Sequence, residues 1–164
     1  MKLKDAIKIY KKSPKNSLSI FLFHGVINKL NNKNTVTNYN KKHIHLKNFK
    51  FFLKNISKLG KHISMDEVYK NIREKKKFKK KLFAITFDDG FENNISVAAP
   101  VLIDLKIPFT FYITTKFVDK NLMSWIDKID YAVDKTKKKH IKIPELNKKY
   151  NIKSQTDKIF LLEK

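Results

Sequence analysis

The sequence predicts an α/β fold with parallel strands. Three observations carry this: short runs that are apolar at nearly every position, segments of helical periodicity between those runs, and glycine-containing stops where the runs end. Strands separated by helices build βαβ units, whose sheet is parallel. Fully apolar strands fit a sheet covered on both faces. An open doubly wound sheet and part of a β/α barrel both satisfy this order.

Residues 3–12, LKDAIKIYKK, place Leu3, Ala6, Ile7 and Tyr10 at helical spacing, and Ser13-Pro14 ends that helix. SLSIFLFHGV (17–26) reads as a buried strand closed by Gly25. Residues 28–42 are rich in Asn and Lys and predict an exposed loop. LKNFKFFLKNISKLG (46–60) puts Leu46, Phe49, Phe52, Leu53, Ile56 and Leu59 on one helical face, with Gly60 as the stop. After the short piece KHIS (61–64), Ser64 caps a helix over MDEVYKNIREKKK (65–77), and Glu67 completes a capping box. Lysines 75–77 and 79–81 form a solvated connection. LFAITF (82–87) is the clearest strand. NNISVAAPVLIDLK (93–106) predicts a helix in which Pro100 requires a kink or an early-turn position. IPFTFYITT (107–115) is a third strand. MSWIDKIDYAVDKTKK (123–138) predicts a helix with Trp125, Ile129, Ala132 and Val133 facing inward. Trp125 is read as a core anchor, with a sugar platform as the alternative. The remainder, 140–164, is polar with one apolar patch, IFLLEK (159–164).

The chain has 164 residues, enough for one domain with a moderate core. It contains no cysteine, which excludes disulfides and thiolate metal sites. The formal charge is +22, and Arg73 is the only arginine among 37 basic residues. Binding to an anionic polymer is one reading of that charge. Coding bias toward Lys, Asn and Ile is the other, because phosphate readers favour the bidentate guanidinium of Arg. No run approaches the ~18 apolar residues of a membrane span. LSIFLF is short for a signal-peptide core, so the expected location is cytoplasmic or peripheral.

FAITFDDGFENN (83–94) carries the chemistry. Sites in α/β folds form at the carboxyl ends of strands, where Asp88 and Asp89 fall. Two adjacent carboxylates repel each other unless a cation compensates. With a divalent metal, one can bind the ion while the other takes a proton from water. A turn followed by a helix cap is the purely structural alternative. His24 ends the first strand and would lie at the same end as the aspartates, either as a site-lining or substrate-contacting imidazole or as a satisfied strand-end histidine. His43 and His45, in HIH, lack neighbours that complete a ligand set and are read as loop histidines. His62 and His140 stand alone. The chain contains no P-loop, G-x-G-x-x-G, G-x-S-x-G or zinc-finger spacing.

Several segments together resemble the polysaccharide deacetylases, the NodB-homology group (carbohydrate esterase family 4). FAITFDDGFENN resembles their first signature. FLFHGV is similar to the opening strand with its His in members of the surface-polysaccharide type. NFKFFLKNISKLGKHISMDEV and AAPVLIDLKIPFTFYITTKFVD resemble the elements on either side of the signature, with Phe109 where Ala is usual. LMSWIDKIDYAV resembles a Trp-Asp insertion of some members. The similarity covers roughly residues 18–135.

This resemblance implies a partial, deformed TIM-like (β/α) barrel and metal-dependent deacetylation of N-acetylated sugars. It implies Asp88 as catalytic base and Asp89 as ligand of a divalent metal, often zinc. Members complete the metal site with a downstream His-x-x-x-His motif, and this chain has none: its last histidine is His140. The later arginine and histidine motifs, with the general-acid histidine, are absent too. The expectation is therefore the N-terminal part of a deacetylase acting on a surface glycan, inactive alone, with a downstream chain completing the barrel. Residues 1–17 would be a helical extension, 18–135 the partial domain and 136–164 a lysine-rich remainder. The expected partner is an acetylated carbohydrate, with no specific nucleic acid. The alternative is a small non-catalytic basic protein that binds an anionic polymer, nucleic acid or acidic glycan.

Overall fold

The computed structural model describes residues 2–28, 36, 38–120 and 122–164. Much of the loop expected over 28–42 therefore lies outside the described residues. A four-stranded parallel sheet organises the core. Its centre is β5 (Leu82–Phe87), with β1 (Leu18–Phe23) along one edge. The other edge holds β4 (Lys61–His62) beside its start and β6 (Phe109–Phe111) beside its end. The sheet is open among the described residues, with no closed barrel. Two smaller sheets flank it: β2 (Gly25–Ile27) pairs in parallel with β3 (His43–His45), and β7 (His140–Ile143) pairs antiparallel with β8 (Lys148–Asn151).

Strand register sorts the side chains into two faces. Phe21 and Phe23 align with Ile85 and Phe87, and those with Phe109 and Phe111. This face is covered by α1 (Leu3–Lys12), α2 (Leu46–Leu59) and α4 (Ala99–Asp104). The many phenylalanines meet here edge to face, as in Phe21–Phe52 at 4.9 Å, Phe23–Phe49 at 5.4 Å and Phe87–Phe111 at 5.3 Å. Such pairs contribute about 0.5–1.5 kcal/mol each beyond their area burial. Tyr10 carries α1 into the same core, 1% exposed.

The opposite face is covered along β5, where Ala84 and Thr86 are both buried, but among the described residues not over the upper part of β1. On this face α3 (Met65–Arg73), held by the Ser64–Glu67 capping box, packs Val68 on Ala84 with Leu18, Phe78 and Leu82 at the border. Higher up, Ile20 and Leu22 are 48% and 51% exposed. The buried-strand reading thus holds for β5, whose residues from Phe83 to Phe87 are all buried, but not for β1. Alternation along β1 leaves one of its faces uncovered.

Pro100 is accommodated in the early-turn position. A π-helical turn over Asn94–Ala98 runs directly into α4, and Pro100, which lacks an N–H, lies in the first turn of α4 just after that irregular turn. The third strand is shorter than expected, and Thr115–Lys120 forms α5 instead.

Residues 140–164 fold rather than trail. The β7–β8 hairpin turns at Asn147, which has a left-handed φ of 45°, and α7 (Gln155–Leu162) follows with its own Ser154–Asp157 capping box. These pack Ile152 and Leu161 on Val133 of α6 (Trp125–Lys135). Lys158, 8% exposed, donates to the carbonyls of Asp134 at 2.6 Å and Thr136 at 3.4 Å, neutralising the C-terminal end of α6. Trp125 is not a core anchor: it is 71% exposed, and Ile129 of the same helix is 47% exposed. The face that α6 turns inward is the acidic one described next.

Candidate functional site

Asp88 and Asp89 follow directly on the buried β5. The Asp88 N–H donates to the Phe23 carbonyl at 2.9 Å, extending the β1–β5 ladder by one residue. His24, the residue after Phe23, therefore stands beside Asp88 at the same sheet end. Across the other edge, Tyr112 N–H donates to the Phe87 carbonyl at 2.8 Å. The chain then turns through two consecutive left-handed residues, Asp89 at φ 71° and Gly90 at φ 74°. Asp tolerates that region better than most L-residues. At Gly90 a side chain would meet Ile113 at 3.1 Å in addition to the backbone strain.

The geometry gives Asp89 a partner that sequence reasoning missed. The Lys42 ammonium lies 3.4 Å from Asp89 Oδ2 and 3.5 Å from Asp127 Oδ1. It also sits over the Phe91 ring, 4.3 Å from its centroid. The Lys42 side chain is only 18% exposed. Asp127 occupies the first turn of α6, where its N–H is capped by Ser124 Oγ and its Oδ2 accepts from the same hydroxyl at 2.7 Å. One turn on, Asp130 is pushed above the ordinary carboxylate range, first by burial and then by the charge of Asp127, with Lys42 opposing.

His43 stands next to Lys42. HIH is not a loop: it is β3, and each histidine has a task. His45 caps α2 by accepting from Lys47 N–H. The His43 ring meets Phe91 edge-on at 4.7 Å, and its Nδ1 lies 3.0 Å from the Asn93 amide nitrogen. In that arrangement Asn93 donates and His43 is the neutral Nε2–H tautomer. Burial, and then the charge of Lys42, hold its pKa below the usual 6.5, against Asp127 and Asp89. Gly25 makes room for the ring: a Cβ there would collide with His43, and would come within 2.5 Å of Asn93 Oδ1. Asn94, 1% exposed at the start of the π turn, has both side-chain polar atoms unpartnered among the described residues.

A cavity of about 570 Å³ opens beside these groups. Its lining includes Lys42, His43 and Asn93 together with Asp127, Asp130 and Asp134 of α6, but not His24, Asp88 or Asp89. His62 and His140 lie on β4 and β7, at other places in the fold.

The residues do not fit the metal that the resemblance implies. Among the described residues no three His, Asp or Glu side chains are placed to hold one ion, whereas a catalytic zinc takes three protein ligands. The one candidate carboxylate, Asp89, already faces an ammonium. No helix among the described residues is long and apolar enough to cross a membrane.

Residues 75–153 match the family model described as polysaccharide deacetylase. No curated protein and no solved structure matches the chain.

Proposed function

The chain carries a polysaccharide deacetylase family domain, and on that premise we propose that it supplies the aspartate half of a deacetylase site for acetylated sugars of a surface glycan. The observation that carries this is the position of Asp88, Asp89 and His24 at the carboxyl end of the parallel sheet. In this reading Asp88 is the base that takes a proton from attacking water, Asp89 the residue that belongs to the cation, and His24 a wall of the substrate site. The four parallel strands belong to a deformed (β/α) barrel. Among the described residues β1 and β6 each pair only with β5, which leaves outer edges for further strands from a downstream chain.

The 164-residue chain alone does not turn over acetylated sugar, because it lacks the histidines of the family's zinc site. The experiment is acetate release from an N-acetylglucosamine oligomer, with zinc and with a chelator, for the native chain and Asp88→Asn. No release above background is expected from either. Release that survives the chelator and vanishes in Asp88→Asn would contradict the reading.

A second reading has one observation in its favour. A groove of about 960 Å³ between α2 and α4 has a rim of Lys50, Lys54, Lys58 and Lys61 over an aliphatic floor that includes Leu53 and Ile107. Three of these lysines recur at every fourth residue, roughly 6 Å apart along the helix axis. An acidic glycan would bind there with affinity that falls steeply as salt rises. Affinity unchanged by salt, or unchanged by Lys54→Ala with Lys58→Ala, would dismiss this reading.

A further inference from the structure

We propose that Lys42 is the resident cation of the aspartate site, standing in this chain where a divalent metal would otherwise balance Asp89. The inference rests on the deacetylase reading of that site and adds how its charge is held. Three groups converge on one ammonium: the Asp89 carboxylate at 3.4 Å, the Asp127 carboxylate at 3.5 Å and the face of Phe91 at 4.3 Å. Two carboxylates and an aromatic face around one point make a cage for a cation. The flexible four-carbon stem of a lysine reaches such a point and delivers a compact charge.

The surroundings fix the tether. Lys42 immediately precedes β3, which is anchored by the β2 pairing of Val26 with Ile44. Just upstream, Asn38 Oδ1 accepts from the His43 N–H at 2.8 Å while its amide donates to the His43 carbonyl at 2.7 Å. The Lys42 backbone N–H itself donates to Asn40 Oδ1 at 3.0 Å. The lysine is thus held at its root, and its charged end is aimed between β5 and α6. That position explains why two acidic side chains from elements far apart in sequence approach each other. It also explains how Asp89 is balanced although no three candidate ligands surround it among the described residues.

A site whose cation is covalently attached should ignore added metal, and removing the cation should make it respond. The test is thermal unfolding of the native chain, Lys42→Met and Lys42→Arg, with and without millimolar zinc or calcium. The native chain and Lys42→Arg are expected to show the same midpoint with and without metal. Lys42→Met is expected to melt about 2–4 °C lower and to regain that loss when metal is added. The double variant Lys42→Met with Asp89→Asn should lose the metal response, which ties it to this carboxylate. If Lys42→Met does not fold, isothermal titration of zinc into the native chain decides alone. Absence of binding that depends on Asp89 supports the inference, and binding abolished by Asp89→Asn overturns it. Metal stabilising the native chain as much as Lys42→Met would also overturn it. Either overturning result would leave the deacetylase reading of Asp88 and Asp89 intact, whereas that reading fails through its own acetate-release test.

Discussion

Gly25 and His43 are register partners in the β2–β3 pair, and the His43 ring fills the space that a side chain at Gly25 would need. Gly25→Ala therefore forces either the ring or the Asn93 amide to move. Overpacking of this kind costs about 1–3 kcal/mol. A urea midpoint lowered to that extent, with altered His43 ring signals in NMR, is the expected outcome. An unchanged midpoint would show that the ring does not occupy this space.

His43 also sets a pH dependence. Its folded-state pKa lies below the ordinary 6.5 because burial and Lys42 disfavour the charged ring, outweighing Asp89 and Asp127, while His24 adds to the repulsion. Below pH 6.5 the unfolded chain then binds the proton more readily than the folded one. Stability falls as pH drops through 6.5 toward the folded value, and this contribution is constant above it. Melting of the native chain and His43→Gln between pH 5 and pH 8 measures it. The native chain should lose more stability on acidification than the variant.

Tyr10 is a buried hydroxyl with no hydrogen-bond partner among the described residues, and burial pushes its pKa up to about 12. Its ring does the packing, edge-on to Phe21 at 5.5 Å and to Phe83 at 6.2 Å. Tyr10→Phe keeps the ring and removes the desolvated hydroxyl. The variant should be equally stable or more stable by about 1 kcal/mol in chemical denaturation. A loss of stability would reveal a partner for the hydroxyl.

Neighbouring residues of β1 should respond in opposite ways. Phe23 is buried at 8% exposure among Phe49, Phe52 and Phe87, whereas Leu22 points to the uncovered face. Phe23→Ala should cost about 3–5 kcal/mol. Leu22→Ser should stay within about 0.5 kcal/mol. Comparable losses at both positions would mean that the second face is covered in solution.

The strands β1 and β5 and the helices α1, α2 and α3 were legible because hydrophobic periodicity and capping are local. Ser64 and Glu67 lie three residues apart, and the box they form needs nothing else. Lys42 and His43 were not legible. Their role depends on the crossover that lays 43–45 beside 25–27, and one lysine among so many carries no mark of its own. Asp127 had a faint signal in the SWIDKID segment, where Ser124 caps and the acidic residues follow at helical spacing. Trp125 was misread because periodicity defines the faces of a helix but not which face is covered. In α6 the covered face carries Val133 and the aspartates that line the cavity. The hairpin of residues 140–151 escaped because only Ile141, Ile143 and Tyr150 mark its apolar side, and what they pack against, Val133 and Leu161, lies on helices outside it.

The central claim is that the end of the sheet bearing His24, Asp88 and Asp89 is the sugar site. The most direct measurement is NMR titration of the 15N-labelled native chain with an N-acetylglucosamine oligomer. The account predicts shifts centred on the amides of His24, Asp88, Asp89 and Gly90, with weaker perturbation by the deacetylated oligomer. Shifts confined to Lys50–Lys61, or none at residues 88–90, would contradict it.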